Sequence, residues 1–496
     1  MLSDEPTATR RARYVLTTAA LLFAVQLKLS IGWAVWRTPS DERFGNGVVV
    51  RNDGVGYYAW LRSPLVDGDW HFDNEFDDLN AVGAGVPAAR TPAGYRSNPW
   101  SVGPACVWAV AVLPCHALVS VGAFGNYAPD GYSLPYQLAI GFTGLAFGLL
   151  TLELMYRICR RFADPVAAAV GGSCVTLGST LVYYATSEPS MGHGPGAAAL
   201  ALFLWFWLRD FGSPSARRWL TLGLLLGAAT VMRWQLAAFG IVLVGEAVWI
   251  VGGRRESLGR MCRCAAALAV GLAVGVLPQL IAWRVVYGAW LVEPMPLARR
   301  WLSPDLWRVL LSADRSFFYW TPVTLLAAVG LVVAVARRDD SIRHVQCGLL
   351  LLAVAVQVYA LAAITGPGVW LGAAFGYRTL TESCVALAPG LAVIIATRGR
   401  WATGAALLGC VLVGWNLLLI GAHRTSVLTS GATPEELFRG VSSYAATAVR
   451  RSFLETATLV AALGIFCAAV RYGLKRQEPA AAPVPQPTQE PVRRAA

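Results

Sequence analysis

Asp53 stands in the segment R-N-D-G-V-G-Y-Y-A-W-L-R-S-P-L-V-D-G-D-W-H-F-D-N-E-F, which begins at Arg51. Asn52 and Gly54 give it the composition of a turn just ahead of an aromatic stretch with helical character. A carboxylate on such a turn can approach a bound hydroxyl and accept its proton. The same position also suits an N-cap for a helix beginning near Tyr57. Downstream, Asp67, Asp69, Asp73, Glu75, Asp77 and Asp78 form an acidic run. Asp67-Gly-Asp69 has the D-x-D form that holds a metal and phosphates, but the run lacks the Gly and Glu spacing of an EF-hand loop. A solvated acidic face and a divalent ion bridging one carboxylate to a phosphate are both open readings, and no metal-ligand set is expected.

A second group of candidates lies further along. S-E-P-S-M-G-H-G, from Ser187, carries Glu188 and His193 between two apolar runs. Ionisable groups are expensive near hydrocarbon, so they mark a substrate contact or a His–Glu bond that closes the loop. Arg233 precedes Trp234 where one apolar run gives way to the next, Arg299 and Arg300 follow E-P-M-P, Arg315 lies in A-D-R-S-F-F-Y-W, and Arg378 ends F-G-Y-R. A guanidinium donates two parallel hydrogen bonds to phosphate oxygens. Fixed near a phosphate leaving group, it meets negative charge that grows in the transition state. Arginines at run ends also snorkel to headgroups.

The elements that must carry these residues follow from composition. The 496 residues are 56% hydrophobic and 14% charged, against about 25% charged in soluble chains. That excludes disorder, a coiled coil and an ordinary soluble enzyme. The formal charge of +12 does not point to nucleic acid, because the arginines sit at the ends of apolar runs. A spanning helix needs about 20 apolar residues. The first run, Tyr14 to Trp36, follows Arg10, Arg11 and Arg13 and reads as a retained anchor leading outward. Later runs fall near 135–156, 164–184, 195–208, 219–234, 235–252, 264–286, 320–336, 345–365, 379–397, 401–421 and 453–470. Alternate gaps hold the basic clusters, from Arg157/Arg160/Arg161 to Arg471/Lys475/Arg476. All of these are cytosolic if the run 101–122, interrupted by Pro104, Pro114 and His116, does not cross. The expectation is an all-α integral membrane protein of about 12 transmembrane helices with both termini cytosolic. Its parts are a tail at 1–13, a membrane domain at 14–477 with a first external loop at 37–134, and a disordered Pro/Ala/Gln-rich tail at 478–496.

The long polar segments, 37–98, 185–194, 287–319, 366–378 and 422–452, then all face outward. None of the short cytosolic gaps has a nucleotide-binding glycine fingerprint. Little nucleotide-activated substrate exists outside the cell, so an external synthetic enzyme needs a substrate activated on a lipid carrier. Here a resemblance becomes specific. An anchor helix, an Asp followed closely by Tyr-Tyr, and a G-D-W segment resemble the first loop of the GT-C superfamily. These are multi-pass glycosyltransferases that use polyprenyl-phosphate sugars, and the likeness is to bacterial Rgt-type and protein mannosyltransferase-like members. The sharp match covers residues 51–76. Where many members have Asp-Glu or a closer Tyr-Tyr, this chain has Asp-Gly with Tyr57 and Tyr58 four and five residues on. The resemblance implies in-plane helices in the first external loop, Asp53 as general base, and Arg378, with Arg233, as donor-phosphate ligands. Tyr57, Tyr58, Glu188 and His193 then contact substrate.

The expected function is inverting transfer of a hexose or pentose from a polyprenyl-phosphate donor to a glycan, lipid or protein acceptor at the external face of a bacterial inner membrane. Membrane lipids are the other partners. No nucleic acid is expected, and a divalent cation is left open. A transporter or lipid flippase is the alternative; it would place charges or broken helices at mid-bilayer, where these runs are apolar.

Overall fold

The apolar runs fold as helices whose outer faces stay apolar. In the computed structural model, which describes residues 5–37, 49–78, 89–254, 257–293, 298–313, 315–337, 341–364, 374–397, 399–425, 427–428 and 433–475, the chain opens with α1 (Glu5–Arg37). The first loop holds α2 (Asp53–Arg62), a π-helical turn (Ser63–Asp67), α3 (Asp73–Asp78) and α4 (Gly103–Ser120). Next come α5 (Leu134–Cys159), α6 (Pro165–Leu177), α7 (Thr180–Thr186), α8 (His193–Arg209) and α9 (Ala216–Met232). A 3-10 stretch (Trp234–Gly240) leads into α10 (Ile241–Arg254), followed by α11 (Leu258–Tyr287), α12 (Leu306–Leu310), α13 (Phe317–Trp320), α14 (Pro322–Arg337) and α15 (Ser341–Ala363). After a 3-10 turn (Arg378–Leu380) the chain ends with α16 (Ser383–Ala396), α17 (Arg400–Arg424), α18 (Pro434–Arg451) and α19 (Phe453–Leu474). Among the described residues there is no strand, only two isolated bridges. The expected tail at 478–496 lies outside the described residues, as does most of the expected loop 366–378.

Val270, Val274, Leu277 and Ile281 form an exposed stripe on α11. Their four- and three-residue spacing is that of one helix face, which a water-soluble protein would turn inward. Backbones approach where side chains are smallest. A Cβ on Gly227 of α9 would lie 2.8 Å from the Gly275 Cα of α11, the small-residue contact by which membrane helices pack.

Among the described residues, eight helices are long and apolar enough to cross a membrane, or nine if the bent pair α6–α7 is one span. The twelve-crossing reading also needs α8 and α9 (17 residues each), α14 (16) and α16 (14). At about 1.5 Å per residue these reach about 21–26 Å, short of a hydrocarbon core of about 30 Å. One of the eight is α4, the run set aside as non-crossing. It is continuous through Pro114. Trp108, Val112 and Val119 are buried, while Val110, Leu113 and Leu118 are exposed. His116 Nδ1 lies 2.7 Å from the Tyr136 hydroxyl.

The first loop is a packed unit. Val55, Tyr58, Trp60, Phe72, Phe76 and Trp108 share a core with Tyr136 of α5 and Trp283 of α11. The Gln137 side-chain oxygen accepts from both Val49 and Val50 N–H at 2.8 Å, fixing the chain that enters α2. Between α6 and α7 the axis bends by 65°. Asn416 of α17 donates to the carbonyls of Leu177 and Ser179 at 2.8 and 2.9 Å, satisfying the broken backbone, which hydrocarbon cannot do.

Candidate active site

Asp53 is the first residue of α2 and does not cap a helix beginning near Tyr57. The N-cap is Asn52, which makes no side-chain capping bond and takes φ 54°. Asn tolerates this left-handed region better than most residues. Gly54 permits a close approach: a Cβ there would lie 2.2 Å from Ser190 Oγ. The start of α2 is therefore pressed against the Ser187–Gly194 segment, and the Ser190 hydroxyl donates to the Val49 carbonyl at 3.0 Å.

Arg378 reaches the same point from late in the chain. Its Nη1 lies 2.9 Å from Asp53 Oδ2, with the side chains 19% and 25% exposed respectively. The turn carrying Arg378 is held from several sides. The Tyr184 hydroxyl donates to the Phe375 carbonyl and accepts from the Phe375 N–H, both at 3.2 Å. Phe375 stacks on Tyr183 with centroids 4.5 Å apart, and Gly376 supplies φ +60°. The Thr180 and Thr381 hydroxyls meet at 2.9 Å. Burial opposes the charge on Arg378, but Asp53, Tyr184 and Tyr57 outweigh it and raise its pKa above the ordinary guanidinium value.

Behind this pair lies a buried cluster. Glu382 Oε1 is 3.1 Å from Arg233 Nε and 3.0 Å from His193 Nδ1, and the Glu382 and His193 side chains are both 0% exposed. Arg233 is fixed as the extended residue ending α9 and donates to the Tyr57 hydroxyl at 3.4 Å. Burial, then Arg233 and Arg378, push the His193 pKa well below the ordinary histidine value, so its ring is neutral. Burial raises the pKa of Tyr57. Glu188 faces Arg51 at 2.8 Å, and the Asn52 amide donates to it at 3.4 Å.

Asp53, Tyr57, His193, Arg233 and Arg378 therefore meet, with Glu188 held beside Asp53 through Asn52. Tyr58 is turned elsewhere, its hydroxyl donating to the Gly131 carbonyl at 2.7 Å. Arg299 pairs with Glu293 at the surface, Arg300 is exposed, and Arg315 is buried with φ 56°. Sequence reasoning missed Glu382, the residue that joins Arg233 to His193. An ionisable residue inside the apolar run 379–397, four positions after Arg378, was the available signal.

Four of the six acidic residues of the run pair with arginines, and Asp69 accepts from the Ser63 hydroxyl at 2.9 Å. Arg62 takes Asp67 and, at 2.7 Å, Glu75; Asp73 pairs with Arg90 and Asp77 with Arg96. Among the described residues no three His, Cys, Asp or Glu side chains gather in a way that could hold a metal ion.

The model of the family described as dolichyl-phosphate-mannose-protein mannosyltransferase matches residues 136–282. That stretch carries Glu188, His193 and Arg233 but neither Asp53 nor Arg378. No curated protein matches the sequence. Among solved structures, the oligosaccharyltransferase AglB from Archaeoglobus fulgidus in complex with an inhibitory peptide and a dolichol-phosphate is similar at 13% identity and TM-score 0.47, covering 85% of this chain and 56% of that one. The apo form of the Archaeoglobus fulgidus oligosaccharyltransferase gives 14% and 0.47 over 85% and 57%. Its complex with Zn and sulfate gives 14% and 0.47 over 85% and 54%. The chain spans little more than half the length of these structures.

Proposed function

We propose that the chain is a GT-C-type membrane glycosyltransferase that moves one sugar from a polyprenyl-phosphate carrier to an acceptor hydroxyl at the external face of a bacterial inner membrane, with both termini cytosolic. Asp53 takes the acceptor proton as the acceptor oxygen attacks the anomeric carbon from the face opposite the phosphate. The bond from the anomeric carbon to the phosphate oxygen breaks, its electron pair stays on the phosphate, and the anomeric centre inverts. Arg378, with Arg233, stabilises that charge. Tyr57 lines the sugar site, and Glu188 holds Arg51 and Asn52 beside the base.

The observation that carries this reading is the Asp53–Arg378 ion pair at 2.9 Å. It sets one acceptor of protons beside one fixed cation; attack and departure on opposite sides of one carbon require the two to part around a bound donor. Phosphate oxygens can replace the Asp53 carboxylate on the Arg378 fork, leaving Asp53 to take the acceptor hydroxyl. The match to a mannosyltransferase family over 136–282 supports the same class of donor.

The experiment compares purified wild type with Asp53→Asn on a panel of labelled polyprenyl-phosphate sugars. Transfer is expected to fall by about 10²–10⁴-fold, the usual yield of a positioned general base. Near-wild-type transfer by the variant overturns the assignment. Transporters also contain broken helices, and α6 and α7 meet at a 65° bend. Solute uptake into vesicles with no lipid-linked sugar consumed would select the transporter reading.

A further inference from the structure

The buried cluster behind the Asp53–Arg378 pair carries two polar atoms that the protein leaves without partners. They are Glu382 Oε2 and His193 Nε2, on side chains that are 0% exposed. The rest of both side chains is committed. Glu382 Oε1 receives Arg233 Nε at 3.1 Å and faces His193 Nδ1 at 3.0 Å. In its ionised form, paired with the Arg233 guanidinium, Glu382 only accepts; the imidazole proton then sits on Nδ1 and Nε2 presents a bare lone pair. Both unpartnered atoms are therefore acceptors.

We propose that Glu382 and His193 form a subsite, made only of hydrogen-bond acceptors, for the hydroxyl groups of the sugar on the lipid-phosphate donor. The proposal rests on the reading of the site given above and names the contact that would distinguish a sugar from its carrier. Buried acceptors are costly without donors. Sugar hydroxyls supply donors. An ionised phosphate diester supplies none and is repelled by the carboxylate.

An aromatic ring borders the pair. The Tyr184 ring lies 4.2 Å from the His193 ring by centroids. Gly196 lets α8 pack closely on the pair: a Cβ there would come 3.2 Å from both Glu382 Oε1 and Arg233 Cδ. Arg233, through the Tyr57 hydroxyl at 3.4 Å, links this end to the start of α2. The site is thus divided. Guanidinium groups serve the phosphate, and acceptor atoms serve the sugar.

The test measures binding to the full chain in nanodiscs. The probes are undecaprenyl phosphate and undecaprenyl phosphate carrying mannose, glucose or galactose. The wild type should bind at least one sugar-bearing lipid more tightly than the bare phosphate. Glu382→Gln and His193→Phe should each weaken that lipid by about tenfold, the value of one hydrogen bond to a charged or buried partner, and His193→Phe should leave bare-phosphate affinity within about twofold. Arg378→Ala should weaken both ligands alike. His193→Phe keeps a ring against Tyr184 and the Glu382–Arg233 pair, so it decides the matter if Glu382→Gln does not fold. No sugar preference in the wild type, equal weakening of both ligands by His193→Phe, or no change on His193→Phe overturns the subsite alone. A wild type that does not bind bare undecaprenyl phosphate, or an Arg378→Ala protein that binds it normally, overturns the reading on which the subsite rests.

Discussion

Arg378→Ala separates a cation that serves the reaction from one that only holds Asp53 in place. The two roles differ in magnitude. The pair is close, at 2.9 Å, but about a fifth of each side chain or more faces solvent, and screened pairs of this kind contribute about 0.2–1 kcal/mol to stability. A preorganised donor facing charge that grows in the transition state is worth more: losing one costs about 2.7–4 kcal/mol, or about 10²–10³ in kcat. Initial rates of labelled sugar transfer in nanodiscs, read beside Tm, distinguish these. The expected result is a kcat loss of about 100- to 1000-fold with Tm lowered by no more than about 4 °C. Arg378→Lys should fall between, because an ammonium restores the charge without the planar fork. A kcat loss of no more than about fivefold, equivalent to about 1 kcal/mol, refutes the phosphate role. So does a loss of rate that tracks the loss of folded protein.

Two further outcomes test how the site is supported. Gly54→Ala places a Cβ 2.2 Å from Ser190 Oγ and 2.9 Å from the Ser190 carbonyl oxygen. It should cost about 1–3 kcal/mol of stability and lower kcat by at least about tenfold by displacing Asp53; wild-type kinetics and Tm would show that the close approach is unimportant. Glu75, buried in the first loop, is pushed up from 4.5 to about 7 by burial, against the hydrogen bond from Arg62. The folded loop holds that proton more tightly than the unfolded chain, so its stability is fullest below about pH 4.5 and declines by about 3 kcal/mol as pH rises to about 7 and beyond. Limited proteolysis of the loop from pH 4.5 to 8 should show rising cleavage in the wild type and a flatter profile in Glu75→Gln, whereas parallel profiles would contradict the assignment.

The membrane character and the clustering of candidates were legible because both are written in single-residue types. Apolar runs showed the helices. A Gly-flanked Asp, an S-E-P-S-M-G-H-G loop and terminal arginines showed most of the site. Other features depended on directions that a sequence does not print. Tyr57 and Tyr58 are neighbours, yet adjacent helix positions diverge by about 100°. One reaches Arg233 and the other Gly131. Glu382 was hidden because a run of apolar residues reads as one span. Its carboxylate precedes α16 and is masked by Arg233 and His193 from distant helices. The crossing count depended on helix length, and a parity argument from arginines cannot see that α4 is continuous through Pro114.

The bend between α6 and α7 decides between a scaffold and a moving gate. In a transporter, unwound carbonyls at such a break coordinate the transported ion. Here the carbonyls of Leu177 and Ser179 are taken by the Asn416 amide, so the break is closed by the protein itself. The bend also has a geometric task. Tyr184 lies about five residues past the break, or about 7 Å along the axis at about 1.5 Å per residue. Straightening a 65° bend would move it by a comparable distance, twice the length of a hydrogen bond. Tyr184 would then lose both of its bonds to Phe375 and its packing on His193. Those contacts support Arg378 on one side and the Glu382–His193 pair on the other. A bend that must stay fixed for the phosphate end and the sugar end to face one substrate favours the transferase over the carrier.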